Sequence, residues 1–517
     1  MQALRDSAQR LVAQGDLPGA RDAYERVLAA LPEDADALLQ LSYIESLAGH
    51  YRAAHAHALR AHAANPSNPG QVAELAARLR TFNEIELLFE CTARYVAAGA
   101  SDLPVLLALA VHLGNVNEYE RALALASIAL ARDPALVPAL AVRSNFLTFL
   151  GRFDEARADL AECLRLAPGN PQAHWLLARL RKAKAGDHEV PAIRARLARS
   201  ARDPGDRTLL AYALHKELDD LGDFNGAARA LAQACSAKRS QLRYAPEQSE
   251  ALVDALVAWS RGSQVRAAMP AAGTGRIPVF IVGMHRSGTT LLEQLLSAHG
   301  DVRGIGELYD FTSQMREAAD HHCRGVIDLE MVRRAGNVDF AAVGAGYLDK
   351  LEWRLGGERW FTDKLPSNFL NAGFICRALP QARILHMVRD PVETCFSNLR
   401  ELFSDVNPWS YDQRELAHYY RQYRRLMAHW HEALPGRIMD VGYADLVTAP
   451  EETMRRVAAF CGLGFENDML DPSANGRAVG TASAVQVRDG IVVRETPKWV
   501  AYAQYLQPMI GALRDLS

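Results

Sequence analysis

The sequence predicts a multidomain chain, with an all-α stack of helical hairpins in front and an α/β domain built on a parallel sheet behind. Three observations carry this expectation. In the first third, Pro32, Pro66, Pro134 and Pro168 are spaced by 34 residues or twice that, and Ala100 fills the vacant register. Beyond residue 277, short apolar runs alternate with helical patterns, as expected when helices are the crossovers between parallel strands. Finally, Val279-Phe280-Ile281-Val282 breaks at Gly283 and runs through a short loop to Gly288-Thr289-Thr290, where a helix opens.

The front part is read from its comb. Gly15, Gly49 and Gly151 share one register, with Asn83 and Asn117 in place of glycine at the two other teeth. Ala20, Ala54, Ala122 and Ala156 follow five residues behind. A turn that needs positive φ takes Gly or Asn, a close helix crossing takes Ala, and Pro ends the second helix of each pair. This pattern resembles tetratricopeptide repeats, which implies about five stacked hairpins over 1–180 forming a solenoid with a concave binding face. The third repeat, around 69–102, carries Leu88 where Ala is expected, so its helices should pack more loosely. Residues 181–262 read as a helical extension whose last hairpin caps the solenoid, because Gly222 and Ala227 repeat the turn-to-crossing spacing. Residues 261–277 have the Gly-, Pro- and Ala-rich composition of a connection.

The second domain is then expected over 278–517. Its predicted order is strand 278–283, helix 289–298, a long helical stretch over 308–357, helix 368–379, strand 383–388, helix 391–403, helices over 412–433, strand 437–442 and helix 450–461. Ligands bind outside the carboxyl ends of such strands, so the loops after 283 and 388 should face one crevice.

Composition narrows the function. Across 517 residues, 49% are hydrophobic, 23% are charged and the formal net charge is −3, which argues against disorder and against a globally basic nucleic-acid binder. The seven cysteines, at 91, 163, 235, 323, 376, 395 and 461, are odd in number and form no CxxC pair, so a reducing, cytoplasmic setting is expected. The first residues lack an apolar signal segment, and no run approaches the ~18 apolar residues of a membrane span. Membrane insertion is not expected.

The loop Gly283–Thr290 decides the chemistry. A triphosphate-binding loop has the form G-x-x-x-x-G-K-[ST], with Lys on the β/γ oxygens and the hydroxyl on Mg²⁺. Gly283 and Gly288 keep that spacing, but Thr289 stands where the lysine should be and the nearest cation, Arg286, lies inside the loop. An anion cradle is expected, without the triphosphate signature, and an ATP-dependent kinase is disfavoured. With Gly306-Glu307 downstream and Val388-Arg389-Asp390-Pro391 further on, the chain resembles sulfotransferases that use 3′-phosphoadenosine 5′-phosphosulfate, in particular the tyrosylprotein-sulfotransferase-like branch.

The resemblance implies roles for particular residues. Arg286, Ser287, Gly288, Thr289 and Thr290 would hold the 5′-phosphosulfate, while Arg389 and Ser397 would grip the 3′-phosphate. The family's additional arginine on that helix is displaced, with Arg400 one position early and Glu401 in its place. Glu307 would be the general base that takes the acceptor proton, and Lys364, in Thr-Asp-Lys-Leu-Pro, would neutralise the bridging oxygen. Tyr443, Ser483 and Lys498 match a tyrosine after a strand and the closing segment over the donor, with Ser483 and Arg286 joining Lys364 in stabilising the transition state. Members of this branch in animals are anchored in the Golgi; no such anchor is expected here. A hydroxyl acceptor is implied, first a peptide or protein tyrosine engaged by the solenoid, with a glycan or small phenol as the alternative. The solenoid is expected to recruit that acceptor and to stay out of the chemistry, because none of the matched residues precedes 283. A non-catalytic interaction scaffold is the competing reading; it is distinguished by whether Arg286, Glu307, Lys364, Arg389 and Ser397 converge. No metal is required by this scheme. The histidines His55, His57 and His62 and the run His321-His322-Cys323 lack a second ligand pair at zinc spacing and are expected to be solvated. Tyr419 and Tyr423 fall on one helix face, so the basic aromatic run 419–425 reads as a buried stripe with an outer arginine face and not as a nucleic-acid site.

Overall fold

A computed structural model describes residues 2–99, 102–199, 203–262, 275–473, 478–481, 484–485, 488, 490–493 and 495–516. The comb in the sequence becomes five antiparallel helix pairs: Gln2–Ala13 with Leu17–Ala30, Ala35–Ala48 with Tyr51–Ala63, Pro69–Thr81 with Ile85–Ala97, Leu103–Gly114 with Tyr119–Arg132, and Val137–Phe149 with Phe153–Leu166. Gly15, Gly49, Asn83, Asn117 and Gly151 all have positive φ, between 58° and 85°. Each donates its backbone N–H to the carbonyl three residues back, and the next residue donates five back, so one turn geometry recurs in all five pairs. Ala20, Ala54, Ala122 and Ala156 are fully buried at the crossings, as is Leu88. The third pair, which carries Leu88, makes fewer close backbone approaches than the others. Ala100 lies outside the described residues.

The stack continues through Pro171–Leu180 into Val190–Arg199 and the hairpin Pro204–Asp220 with Phe224–Arg239, which turns at Gly222 and buries Ala227. Pro246–Gly262 follows. The second domain holds a five-stranded parallel sheet of β1 (Ile277–Gly283), β2 (Val302–Gly304), β3 (Trp360–Asp363), β4 (Arg383–Val388) and β5 (Ile438–Gly442), in the order β2-β3-β1-β4-β5. Apolar clusters fill both faces of β1 and β4, which explains their continuous hydrophobic runs. Two expectations need correction. β2 and β3, of three and four residues, are too short for a period to show in the sequence, and they stand where no strand was expected. The stretch 308–357 is not continuous but splits into Asp310–Ala319, Leu329–Arg334 and Phe340–Leu351. Among the described residues, no helix is long and apolar enough to cross a membrane.

The solenoid lays its row of turns against the second domain. Arg52, just past the second turn, donates to the Glu317 and Ala318 carbonyls, each at 2.8 Å. At the third turn, Glu84 accepts from Lys350 Nζ at 2.6 Å, and Asn83 Nδ2 donates to Asp310 Oδ1 at 2.7 Å. At the fourth, Arg354 donates to the Val116 carbonyl at 2.6 Å and to Glu118 at 3.1 Å. At the fifth, the Phe149 carbonyl accepts from Val479 N–H at 2.9 Å. Two of the histidines expected to be solvated, His55 and His322, lie in this seam. His55 stacks on Phe82 with ring centroids 5.0 Å apart and bridges Glu84 and Glu317, while His322 packs against Tyr51. The aromatic run behaves as expected: Tyr420 and Tyr423 are buried, Tyr419 stacks on Trp409, and Arg421 and Arg425 face outward to Asp515 and Asp254.

Candidate active site

The order of strands brings the two predicted loops together. β1 and β4 are adjacent, with Gly283 opposite Met387, so their carboxyl ends deliver the Gly283–Thr290 loop and Arg389 side by side. Gly283, at φ 151°, passes so close to β4 that a Cβ would sit 2.7 Å from the Met387 carbonyl. Gly288, at φ 111°, caps the helix Thr289–Leu296, and a Cβ there would meet the Tyr443 ring at 2.5 Å. The Tyr443 ring also lies 4.3 Å from the Arg389 guanidinium, so one aromatic face covers the loop and the cation together. Arg286 takes positive φ, 66°, which aims its side chain back across the loop to donate to Ser397 Oγ at 3.3 Å. Arg389 Nη1 donates to the Arg286 carbonyl at 3.3 Å, and the Asn398 amide donates to the His285 carbonyl at 2.7 Å.

This corner concentrates positive charge. Burial lowers the Arg286 pKa, Glu401 at 3.9 Å opposes that shift, and Arg179, Arg389 and Arg400 lower it further. Arg179 comes from the end of the solenoid and lies 3.5 Å from Glu401. The Ser287 hydroxyl is buried without a hydrogen-bond partner among the described residues, in a loop whose glycines leave no Cβ to fill the cradle. Such a buried hydroxyl beside a buried guanidinium at a helix N-terminus suits an anion with oxygen acceptors.

The second half of the site lies across the loop. Lys364, fully buried after β3, donates from Nζ to Glu307 Oε1 at 2.6 Å. Burial first and the Lys364 charge second push the His285 pKa down to about 4. The Gly306–Glu307 turn is held from several sides. Gly306 N–H donates to Glu293 Oε1 at 3.0 Å, the Gly306 carbonyl accepts from Lys364 N–H at 3.0 Å, and the Glu307 carbonyl accepts from Asn117 Nδ2 at 2.9 Å. Thr290 Oγ1 lies 3.3 Å from Thr481 Oγ1, which ties the loop to the C-terminal segment. Ser483 lies outside the described residues. Lys498 sits 3.7 Å from Asp219, which also receives Arg400 at 2.7 Å, so one carboxylate of the helical extension faces both cations. Trp499 N–H donates to Glu393 at 3.4 Å, and Glu393 in turn receives Arg389 at 3.0 Å.

Arg286, Ser397, Arg389, Tyr443 and the loop thus form one contact chain, while Lys364 and Glu307 form a second pair on the turn that Glu293, from the helix after the loop, holds at Gly306. Residues 278–467 match the sulfotransferase family. The second domain is a sulfotransferase domain. The chain is similar to an uncharacterised protein of Aquifex aeolicus, 27% identical over 392 residues that cover 74% of this chain and 51% of the relative. It is also similar to protein-tyrosine sulfotransferase 2 of Gallus gallus, 26% identical over 210 residues, covering 37% of this chain and 53% of that one. In a third match, a tetratricopeptide repeat and J domain-containing co-chaperone of Fusarium oxysporum f. sp. lycopersici is 39% identical over 104 residues, 20% of each chain. The chain spans about half the length of the first two relatives.

Several residues of the sulfotransferase domain and its surroundings were not foreseen. Glu293 is buried in the helix after the loop and accepts from Thr362 Oγ1 at 3.1 Å as well as from Gly306. Its signal was a carboxylate inside a helix whose other faces are apolar, which demands partners. Asp363 is fully buried, accepts from Tyr347 Oη at 3.0 Å, and has its pKa raised well above the usual carboxylate range by burial. Asn117 reaches the Glu307 carbonyl from the solenoid, a contact that the reading of the repeats as a recruiting surface did not include.

Proposed function

We propose that the protein transfers a sulfuryl group from 3′-phosphoadenosine 5′-phosphosulfate to a hydroxyl acceptor, in first place a tyrosine of a peptide or protein. The observation that carries this reading is the pair of candidate anion-binding elements at adjacent strand ends: the lysine-free loop, with Arg286 reaching Ser397 and a Ser287 hydroxyl that has no partner among the described residues, and Arg389 after β4. A donor with both a 5′-phosphosulfate and a 3′-phosphate needs two such elements, whereas a triphosphate with Mg²⁺ needs the lysine that is replaced here. Gly288, Thr289 and Thr290 offer the helix N-terminus to the 5′ group, and Tyr443 and Lys498 flank the donor corner. The acceptor oxygen attacks sulfur as the S–O bond to the phosphate breaks. Its proton passes to Glu307, and the pair of electrons leaves on the bisphosphate, where Lys364, Arg286 and Ser483 meet the developing charge. The 2.6 Å contact of Lys364 with Glu307 keeps the proton acceptor and the leaving-group cation within one residue of each other.

Tyrosine is favoured because a protein-tyrosine sulfotransferase is among the relatives and because a repeat solenoid is attached, a fold suited to holding a polypeptide. A cytoplasmic setting belongs to the same proposal, supported by seven buried cysteines that are all free thiols. The test is calorimetry with adenosine 3′,5′-bisphosphate in the absence of Mg²⁺, followed by transfer of labelled sulfuryl groups into a lysate and identification of the labelled species. Micromolar binding of the bisphosphate is expected, and equal or tighter binding of Mg-ATP would overturn the assignment. Glu307→Gln should lose roughly 10²–10⁴-fold in turnover while keeping donor affinity. Parallel loss of both would make Glu307 a structural residue.

A further inference from the structure

The five repeat turns share one backbone geometry, yet they do not share one residue. Glycine adopts positive φ without strain, and the turns at Gly15, Gly49 and Gly151 show that the fold needs nothing more at this position. Asparagine at the third and fourth turns is therefore a departure that the turn itself does not explain. The surroundings do. No atom would meet a Cβ at Gly15 or Gly49, whereas at Gly151 a Cβ would come within 3.0 Å of Arg488, which crosses the turn. Asn83 and Asn117 face the stretch between Glu307 and Asp310, and each spends its amide there: Asn83 on the Asp310 carboxyl at 2.7 Å, Asn117 on the Glu307 carbonyl at 2.9 Å.

The Asn117 amide is itself oriented. Tyr119 Oη donates to Asn117 Oδ1 at 2.7 Å, which leaves Nδ2 as the group presented to Glu307. Tyr119 is buried, with its ring 5.0 Å from Phe149 and its hydroxyl against Gly480, where a Cβ would clash at 1.5 Å. Gly480 adjoins Thr481, the residue that reaches Thr290 of the anion loop. On the other side, Gly306 has φ 78° and no side chain, and a Cβ there would lie 3.3 Å from Asn117 Nδ2. Two backbone contacts within the sulfotransferase domain, from Glu293 and Lys364, hold Gly306, whereas Asn117 holds Glu307 from outside it.

We propose that Asn117 is a positioning residue for Glu307, so that the fourth repeat turn of the solenoid is a structural part of the active site and not only a recruiting surface. This rests on the assignment of Glu307 as the proton acceptor. Positioning is worth a great deal in such a site, because a displacement of about 1 Å can lower turnover about 100-fold.

The test uses the full-length chain. Asn117→Gly keeps the turn, as glycine does at the three sister turns, and removes only the amide. Asn117→Asp keeps the size but sets an acceptor against the Glu307 carbonyl. Tyr119→Phe leaves the ring in place and removes the hydroxyl that orients the amide. Transfer from labelled 3′-phosphoadenosine 5′-phosphosulfate to a tyrosine peptide and to 2-naphthol is measured beside bisphosphate affinity, Tm and hydrogen exchange of the peptide spanning 303–310. The expected result is a fall in kcat of about 10- to 100-fold for Asn117→Gly, at least as large for Asn117→Asp and smaller for Tyr119→Phe. KM for the donor, bisphosphate affinity and Tm should stay close to the parent values, and exchange over 305–309 should quicken. Wild-type kcat or unchanged exchange in Asn117→Gly, with Glu307→Gln inactive, overturns the positioning role alone. Full turnover in Glu307→Gln removes the base assignment and this proposal together. A fall in kcat matched by an equal fall in Tm and bisphosphate affinity assigns Asn117 to folding and also overturns it.

Discussion

At the residue scale, the site depends on a few side chains whose energies can be separated. Arg389 shares a partly buried corner with Tyr443, Glu393 and the Arg286 carbonyl, so removing its guanidinium takes a charge-assisted contact from any phosphate bound there. Arg389→Ala should weaken adenosine 3′,5′-bisphosphate by about 2–4 kcal/mol, read by calorimetry. Unchanged affinity would place Arg389 outside the donor site. His55 offers a pH test of the seam. Burial disfavours its charged form, but hydrogen bonds and charge from Glu317 and Glu84 outweigh burial and lift its pKa from 6.5 to about 9. Lys350 also faces this cluster through Glu84, while the Tyr51 and Phe82 rings close it off. A raised folded-state pKa means that the stabilisation is fully present below about pH 6.5 and is lost as pH rises through about 9. Tm should therefore fall across that window, and His55→Gln should flatten the fall. A parent profile that is flat from pH 6.5 to 9 would contradict the bridged geometry.

At the scale of elements, the repeats show how a single volume change is absorbed. Leu88 stands where the other pairs have alanine, is fully buried, and belongs to the pair with the fewest close approaches. Restoring the consensus size by Leu88→Ala should not tighten the pair. Leu88 is fully buried, so the truncation leaves a cavity and should cost about 2–5 kcal/mol in chemical denaturation. A neutral or stabilising outcome would show that the pair can close. The same logic explains why two strands escaped the sequence reading. β2 and β3 are only three and four residues long, and their place is decided by pairing, β3 with β1 and β2 with β3, and not by any period of their own.

For the whole molecule, the seam between solenoid and sulfotransferase domain runs along the second, third, fourth and fifth turns, and one apolar cluster joins the helical extension to the sheet. Cooperative coupling follows from that continuity. Calorimetry should show one unfolding transition, and two separate ones would mean that the bodies melt independently. Arg354 is the sharpest probe, because its largely buried guanidinium spans the Val116 carbonyl and Glu118. Arg354→Ala leaves both acceptors without it and should destabilise the chain by about 3–5 kcal/mol.

The sequence by itself determined the repeat period, the turn and crossing residues, the strands at 278–283, 383–388 and 437–442, and the lysine-free loop with Arg389 and Ser397 behind it. These are local properties: backbone freedom at a turn, helical or strand periodicity, and the residue types an anion loop needs. Tertiary structure alone decided which distant groups meet. Glu293 and Asp363 became visible only as buried carboxylates with partners, because a carboxylate's cost depends on what surrounds it and not on its neighbours in the chain. Lys498 was drawn to Asp219, and the seam histidines were taken out of solvent, by elements more than 200 residues away in sequence. Asn117 was legible as a turn residue from its place in the comb; that its amide would reach Glu307 depended on how the solenoid docks, which no local pattern encodes.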